Sequence, residues 1–196
     1  MARIAVVSDT HVPSRADRLP EWVADRVRDA DHTIHAGDFD DADAYETVAD
    51  LAGEQFTAVA GNMDPAELDL PEVATVTVEG VTIVVIHGTA TSGEEYVATI
   101  TEAIEAELDG GERKDGGTAI AVAGHTHELV DDEIAGVRFL NPGSATGASP
   151  AETATMLEVE VAAGDGAGGE VAGGEVTDGD VTVTAFEDGE EIEIDG

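Results

Sequence analysis

Five short segments rich in Asp, Asn and His could together bind metal ions. They are Ser8-Asp9-Thr10-His11, His35-Ala36-Gly37-Asp38, Gly61-Asn62-Met63-Asp64, Ile86-His87-Gly88 and Gly124-His125-Thr126-His127. Carboxylate and imidazole groups bind divalent transition metals, and a pair of such ions can activate water to attack a phosphate ester. One segment alone means little, because Gly-Asp and Gly-Asn are common in turns. The ordered set, in which four of the six histidines lie at the ends of predicted strands as candidate ligands, predicts a metal site.

Apolar runs with the length of β-strands precede these segments or lie between them. The predicted strands are Ile4–Val7, Thr33–His35, Phe56–Ala60, Val73–Val78, Val81–Ile86, Thr118–Ala123 and Val137–Leu140. Short runs rich in Val and Ile are typical of strands that are covered on both faces. Because sites in α/β sheets form at the carboxyl ends of the strands, we expect the polar segments to meet there.

Helical patterns separate the predicted strands. Apolar residues repeat at helical spacing from Leu19 to Val27, over residues 42–52 and from Tyr96 to Leu108. Ser92-Gly93-Glu94-Glu95 matches a capping box that would begin the third helix. Residues 73–86 indicate a β-hairpin that turns at Glu79-Gly80, so the sheet should be mixed.

The chain changes character after Pro150. Met156–Val161 and Val181–Phe186 alternate apolar and polar residues, as half-exposed strands do, and we expect edge strands there. Residues 162–179 are mostly Gly, Ala, Asp and Glu, which predicts a flexible loop. With 196 residues, the chain is expected to form one domain over residues 1–196.

The chain is strongly acidic. It has 44 Asp and Glu residues against eight Lys and Arg, and its formal net charge is −36 at pH 7. Such a charge destabilises a compact fold unless salt screens it, so we interpret the acidity as adaptation to a salt-rich cytoplasm. The sequence has no basic patch, which argues against non-specific nucleic-acid binding.

Cysteine usage and hydropathy narrow the function further. The chain has no cysteine, so disulfides and thiolate metal sites are excluded. No apolar run approaches the roughly 18 residues of a membrane span. Met1-Ala2-Arg3 and the first predicted strand are too short for a signal peptide, so we expect none there. We expect a cytoplasmic protein that does not associate with membranes.

The order Asp-x-His, Gly-Asp, Gly-Asn, His-Gly and Gly-His-x-His resembles the pattern of the calcineurin-like metallophosphoesterase superfamily. With its short chain, Gly61-Asn62-Met63-Asp64 and Gly124-His125-Thr126-His127, the sequence most resembles the small prokaryotic phosphodiesterases of the YfcE type. The resemblance runs from about Ala2 to Ser144 and weakly onward. It implies an α/β fold in which a two-layered mixed β-sandwich is flanked by helices (α/β/β/α).

The resemblance also implies two metal ions, each with three ligands of its own and both sharing one carboxylate. Asp9, His11 and His127 would hold one ion, Asn62, His87 and His125 would hold the other, and Asp38 would bridge them. Mn²⁺ is the favoured ion, with Ni, Co, Fe or Zn as alternatives. The implied reaction is in-line attack of a bridging hydroxide on a small-molecule phosphoester. Homo-oligomers are common among small members of the family, so one is allowed here.

The sequence departs from the family pattern at one position. Many members carry a histidine after the Gly-Asn asparagine that is thought to protonate the leaving group, whereas this chain has Met63. Methionine cannot donate a proton, so we favour phosphodiesters, or esters with good leaving groups, over ordinary monoesters. Among the other site residues, Asp38 and Asn62 are assigned to catalysis. Asp64 is assigned to orienting the substrate or a water molecule.

Several polar residues near the motifs fall outside the ligand set. We expect His32 to be exposed and His35 to be a core or strand-end histidine. Asn141-Pro142-Gly143-Ser144 could approach the substrate phosphate through backbone N–H groups or could be a simple β-turn. The sequence agrees equally with both interpretations.

A non-catalytic role is the competing interpretation. The retromer subunit of eukaryotes resembles this family but acts as a scaffold through protein contacts, with an eroded metal site. All seven ligand positions of this chain carry residues that can bind metal, which favours catalysis. A metal-binding regulator without turnover also agrees with the sequence.

Overall fold

Two β-sheets pack face to face in the computed structural model of the chain, which describes residues 1–108, 117–162 and 181–194. Strands of the first sheet are β1 (Ala2–Val7), β2 (His32–His35), β3 (Phe56–Ala58), β9 (Thr155–Val161), β10 (Val181–Glu187) and β11 (Glu190–Ile192). Strands of the second sheet are β4 (Val73–Val78), β5 (Val81–Ile86), β6 (Ala119–Val122), β7 (Leu129–Ile134) and β8 (Val137–Pro142). In the described residues the strand orders are β11-β10-β9-β1-β2-β3 and β4-β5-β6-β8-β7.

Three helices within the described residues cover the outer faces of the sandwich. They are α1 (Glu21–Asp29), α2 (Ala42–Ala52) and α3 (Gly93–Glu107), and a short 3-10 turn spans Ala66–Leu68. Helices α1 and α2 pack on the first sheet and α3 packs on the second. The structure therefore confirms the expected α/β/β/α sandwich.

Side-chain caps define where two helices begin. The Asp41 carboxylate accepts a hydrogen bond of 2.8 Å from the Ala44 amide at the start of α2. At the start of α3, Ser92 Oγ accepts from the Glu95 amide at 3.3 Å, and the Glu95 carboxylate accepts from the Thr91 amide at 2.8 Å. Each cap satisfies amides that lack a partner in the first helical turn.

An apolar layer between the two sheets forms the main core. It includes Ile4 and Val6 of β1, Ile83 and Val85 of β5, and Leu157 of β9, all with exposed fractions of 0%. Alternate residues of each strand point into this layer, and their neighbours point towards the helices. The core thereby fixes where each strand ends, which is where the polar segments begin.

The structure corrects two details of the sequence prediction, the position of two strands in the sheet and the number of strands. Neither of the two predicted edge strands is one: β9 pairs with β1 and β10, and β10 pairs with β9 and β11, so both are inner strands. Strand β7, with the sequence LVDDEI, was not predicted because its acidic residues hide the pattern of this edge strand, and the short strand β11 was also not predicted. Apart from Ala162, the predicted loop over 162–179 lies outside the described residues.

None of the helices in the described residues combines the length and the apolar character needed to cross a lipid bilayer.

Candidate metal centre

The ligand candidates meet at one edge of the sandwich, at the carboxyl ends of strands from both sheets. Strands β1, β2 and β3 are parallel, so the segments that follow them, with Asp9, His11, Asp38 and Asn62, end together. Strands β5 and β6 are parallel in the second sheet, and they place His87 beside the His125–His127 segment. Contacts between these side chains join the two sheets.

One half of the cluster is formed by Asp9, His11 and His127. The Nε2 atoms of His11 and His127 lie 3.2 Å apart, and Asp9 Oδ1 lies 3.3 Å from His127 Nε2. The exposed fractions are 0% for Asp9 and His11 and 8% for His127, so this half is closed to solvent. These three side chains could hold one metal ion.

The other half is formed by Asn62, His87 and His125. Asn62 Oδ1 lies 3.2 Å from His87 Nε2 and 3.0 Å from His125 Nδ1. Asp38 lies between the two halves, with its Oδ2 atom 3.5 Å from His11 Nε2 and 3.4 Å from His87 Nε2. The structure thus brings together all seven residues of the predicted ligand set.

Each histidine of the cluster is anchored by the ring nitrogen that points away from it. The anchors are the Asp40 carboxylate for His11 and main-chain carbonyls for the rest: Ala36 for His87, Ala90 for His125 and Ala148 for His127, all at 2.7–2.8 Å. A carbonyl or carboxylate accepts a hydrogen, so the anchored nitrogen is the one that carries it. At His125 the Ala90 amide also lies 3.2 Å from Nε2, but the 2.8 Å contact with the Ala90 carbonyl is shorter and favours the same tautomer. The other ring nitrogen therefore presents a lone pair to the cluster, as metal-binding histidines do.

The cluster consequently concentrates hydrogen-bond acceptors with few donors. Asp9 Oδ1 is buried and has no hydrogen-bond partner. Burial lowers the pKa of His87 and His127, but the nearby negative charges of Asp38 and Asp9 outweigh it and raise both pKa values. The same lone pairs would attract a proton or a metal cation. The donor set of carboxylate, imidazole and amide oxygen fits divalent transition metals.

The backbone around the cluster is strained. Six non-glycine residues adopt a left-handed conformation with φ between +46° and +88°, namely Asp9, His11, Asp38, Asp40, His125 and His127. This conformation costs of order 1–3 kcal/mol for such a residue, and outliers of this kind concentrate at functional sites. The surrounding loops hold the ligands in place against this cost.

Two glycines let the loops approach closely. A Cβ atom at Gly61 would collide with the carboxylate and amide of Asp38. A Cβ atom at Gly124 would collide with Ser8 Oγ and would lie 2.7 Å from Asp9 Oδ2. Any other residue at either position would push a ligand out of place.

Asp64 joins two of the ligand-bearing loops. Its carboxylate accepts hydrogen bonds from the backbone amides of Asp38, Phe39, Asp40 and Gly61 at 2.6–3.1 Å. Both oxygens are therefore used within the protein. This geometry gives Asp64 a positioning role, holding the loops of Asp38 and Asn62 together.

Asp40 supports His11 and was missed by the sequence analysis. Its Oδ1 atom accepts from His11 Nδ1 at 2.8 Å, and its Oδ2 atom accepts a hydrogen bond from the Ser14 hydroxyl. The only sequence signal was a second aspartate two residues after Asp38. Nothing in that spacing shows that the side chain turns back towards His11.

The two histidines outside the ligand set are both buried. His35 has an exposed fraction of 0%, stacks on Phe39 and accepts a hydrogen bond from the Gly37 amide at 3.1 Å. Burial lowers the pKa of His35 to about 3, so the ring stays neutral. The expectation that His32 is exposed is wrong: it is 7% exposed and contacts Thr57 at 2.9 Å, because β2 is an inner strand.

The Asn141–Ser144 segment donates hydrogen bonds to the backbone of two ligand loops. The Asn141 side-chain amide donates to the Gly124 carbonyl at 2.9 Å, and Ser144 Oγ donates to the Asp9 carbonyl at 2.8 Å. The Gly143 amide donates to the side chain of Asn141 at 2.9 Å and is already satisfied. These contacts are structural.

Comparison with known proteins places the chain in a family. It belongs to the calcineurin-like phosphoesterase superfamily, because the family model of that domain matches residues 2–164. A probable metallophosphoesterase from Methanocaldococcus jannaschii is 36% identical over 143 residues, which are 73% of this chain and 68% of that relative.

Solved structures share the fold at lower identity. Vacuolar protein sorting 29 from Cryptosporidium parvum matches with a TM-score of 0.69 and 20% identity, over 97% of this chain and 94% of that one. Vps29 from Entamoeba histolytica, solved in complex with Zn²⁺, matches with a TM-score of 0.69 and 23% identity, over 97% and 96%. At these identities the likeness shows the fold alone.

The contact between Asp40 and His11 predicts the effect of Asp40→Asn on metal binding. The variant keeps an oxygen that can accept from His11 but removes the charge behind the ring, so Mn²⁺ affinity should fall roughly 10–100-fold. Isothermal titration calorimetry of the folded variant measures this. Asp50→Asn, the same change at an exposed position of α2, should bind like the wild type. Equal affinity in the Asp40 and Asp50 variants would contradict the prediction.

Proposed function

We propose that the chain, acting as one unit over residues 1–196, is a binuclear metal-dependent phosphodiesterase. One observation carries the proposal: the ring nitrogens of four anchored histidines converge on the oxygens of Asp9, Asp38 and Asn62. Such a concentration of acceptors is stabilised by cations. Asp38, which reaches both halves, is suited to bridge two ions.

The proposed ligand sets follow the two halves of the cluster. Asp9, His11 and His127 would hold the first ion, Asn62, His87 and His125 the second, and Asp38 both. Mn²⁺ is the first candidate, since oxygen and nitrogen ligands without sulfur suit it, and Ni, Co, Fe or Zn are alternatives. When bound, the two ions would lower the pKa of a shared water molecule and offset negative charge on the phosphoryl oxygens.

The residues around the cluster favour a diester substrate. In hydrolysis, a water oxygen bonds to phosphorus, one ester P–O bond breaks, and the departing alcohol oxygen takes up a proton. Met63 has a 42% exposed side chain and cannot supply that proton. Leaving groups that are stable as anions need no such acid. A diester also carries less charge than a monoester and meets less repulsion from an acidic protein.

The first test is hydrolysis of bis(p-nitrophenyl) phosphate in about 1 M KCl with Mn²⁺, a salt concentration that screens charges beyond roughly 3 Å. We expect metal-dependent turnover that exceeds turnover of p-nitrophenyl phosphate. Asp38→Asn should lower the rate of hydrolysis by more than roughly 10–100-fold, which is the loss expected when only a hydrogen-bond partner of a ligand is removed. Asp50→Asn is the matched control. A folded, metal-loaded protein without turnover on either ester would refute the proposal.

A scaffold role is the second candidate. The fold likeness to vacuolar protein sorting 29 favours it, since that name refers to sorting and not to hydrolysis. Metal stoichiometry measured together with a rate separates the candidates. Two bound ions with turnover support the hydrolase, and bound ions without turnover support a regulator. A protein that shows no bound ions and no turnover supports a scaffold.

The identity of residue 63 predicts a gain of function. Met63→His would place an imidazole beside Asn62 at an exposed position, so the fold should tolerate it. General-acid assistance contributes roughly 10²–10⁴-fold, and even partial assistance should raise rates on alkyl esters more than on p-nitrophenyl esters. Rates across a series of leaving groups test this, with Met63→Gln as the control. Unchanged dependence on leaving-group pKa in the histidine variant would count against it.

We also propose that the acidity adapts the protein to a salt-rich cytoplasm. The screening length is roughly 10 Å in 0.1 M salt and roughly 3 Å in 1 M salt, so the net charge of −36 should destabilise the fold in dilute buffer. We expect the midpoint of thermal unfolding to rise with KCl from 0.1 M to molar concentrations. Circular dichroism measures it, with sucrose as a non-ionic control. A midpoint independent of KCl would contradict the proposal.

A further inference from the structure

A pocket of about 430 Å³ adjoins the half of the metal centre that is formed by Asn62, His87 and His125. Asn62 and His87 line both the pocket and the cluster, so a substituent on a phosphate held at the cluster can enter it. The volume lies near the lower end of the roughly 300–1,000 Å³ typical of small-molecule sites. It can hold one small organic substituent.

The other walls of the pocket come from three elements. Val73 of β4 and Ile86 of β5 are apolar, while Thr89 after β5 and Thr99 of α3 offer hydroxyl groups. Glu72, which is exposed and precedes β4, adds a carboxylate. Among the described residues that line the pocket, none is Lys or Arg.

This lining discriminates between charges. An ionised carboxylate and threonine hydroxyls can accept hydrogen bonds from hydroxyl groups of a substituent, and the apolar walls can cover a ring. A second phosphate or carboxylate on the substituent would meet no Lys or Arg side chain among the described lining residues, and Glu72 would repel it. The metal ions would meet only the phosphate that is cleaved.

We propose that this pocket binds an uncharged, hydroxyl-bearing alcohol substituent of the diester, such as a nucleoside or a polyol, and that Glu72 selects against substituents with a second anionic group. The proposal rests on the proposed function and adds the substrate class. Glu72 acts as a specificity-determining residue and has no part in bond cleavage.

The test uses two substrates that differ only at the far end of the nucleoside. They are the p-nitrophenyl ester of thymidine 5′-phosphate and the same ester with a phosphate on its 3′ hydroxyl. In the Mn²⁺-loaded full chain, we expect the free 3′ hydroxyl to be favoured at least about tenfold in kcat/KM. Glu72→Lys should reduce that preference at least about tenfold, and Glu72→Gln should reduce it partly. Glu46→Lys, the same charge change on an exposed position of α2, should leave it unchanged.

A binding measurement separates this inference from the proposed function. Calorimetric titration with thymidine 5′-monophosphate and thymidine 3′,5′-bisphosphate should show the same preference and the same loss in Glu72→Lys, whether or not the protein turns over. Discrimination in binding without turnover of bis(p-nitrophenyl) phosphate would support the pocket and refute the hydrolase. Equal preference in Glu72→Lys and Glu46→Lys, in a protein that hydrolyses bis(p-nitrophenyl) phosphate, would overturn the inference and leave the hydrolase standing.

Discussion

The metal centre depends on one constraint: the unprotonated ring nitrogens of four histidines are held close to one another and to carboxylate oxygens. Four imidazoles are anchored by carbonyl or carboxylate groups on their outer nitrogens, so their inner nitrogens face buried carboxylates, the amide oxygen of Asn62 and one another. The Nε2 atoms of His11 and His127 are only 3.2 Å apart, a separation at which two lone pairs repel unless a cation or a proton lies between them. The rest of the site exists to maintain this arrangement.

The backbone conformation of the ligand loops keeps these side chains in place. The left-handed residues, such as Asp38 and His125, allow each loop to turn sharply at the end of its strand. Asp64 then fixes two of these loops by accepting four backbone hydrogen bonds, and Gly61 permits the contact because it has no Cβ. Strain at several residues is tolerated because the packed layer between the sheets and these hydrogen bonds over-determine the loop conformation.

The two halves of the cluster differ in access. Asp9 and His11 are fully buried, whereas Asn62 is exposed and lies beside the pocket. In the proposed hydrolase, the buried half would hold its ion away from bulk water, and the open half would be the side from which a substrate approaches. The neutral amide of Asn62 limits the negative charge that an incoming phosphate would meet there.

The sequence by itself determined the three helices, every described strand except β7 and β11, and the seven residues that meet at the cluster. Apolar runs such as Val81–Ile86 fix strands by burial, and the residue that ends each run is thereby placed at the edge of a sheet. The sequence analysis also correctly predicted that His35 is a core histidine. It could not predict that β9 and β10 would be inner strands, because β9 pairs with the distant β1 and because β11, which covers the edge of β10, has no apolar pattern of its own.

Only the tertiary structure decided how the ligands are held. Asp40 and the carbonyls of Ala36, Ala90 and Ala148 select which ring nitrogen faces the cluster, and no residue type encodes a carbonyl's direction. The pocket beside Asn62 likewise arises where β4, β5 and α3 meet, although each element alone shows only an ordinary pattern. Short-range sequence patterns set burial and turns, whereas hydrogen-bond partners and cavities depend on contacts between segments far apart in the chain.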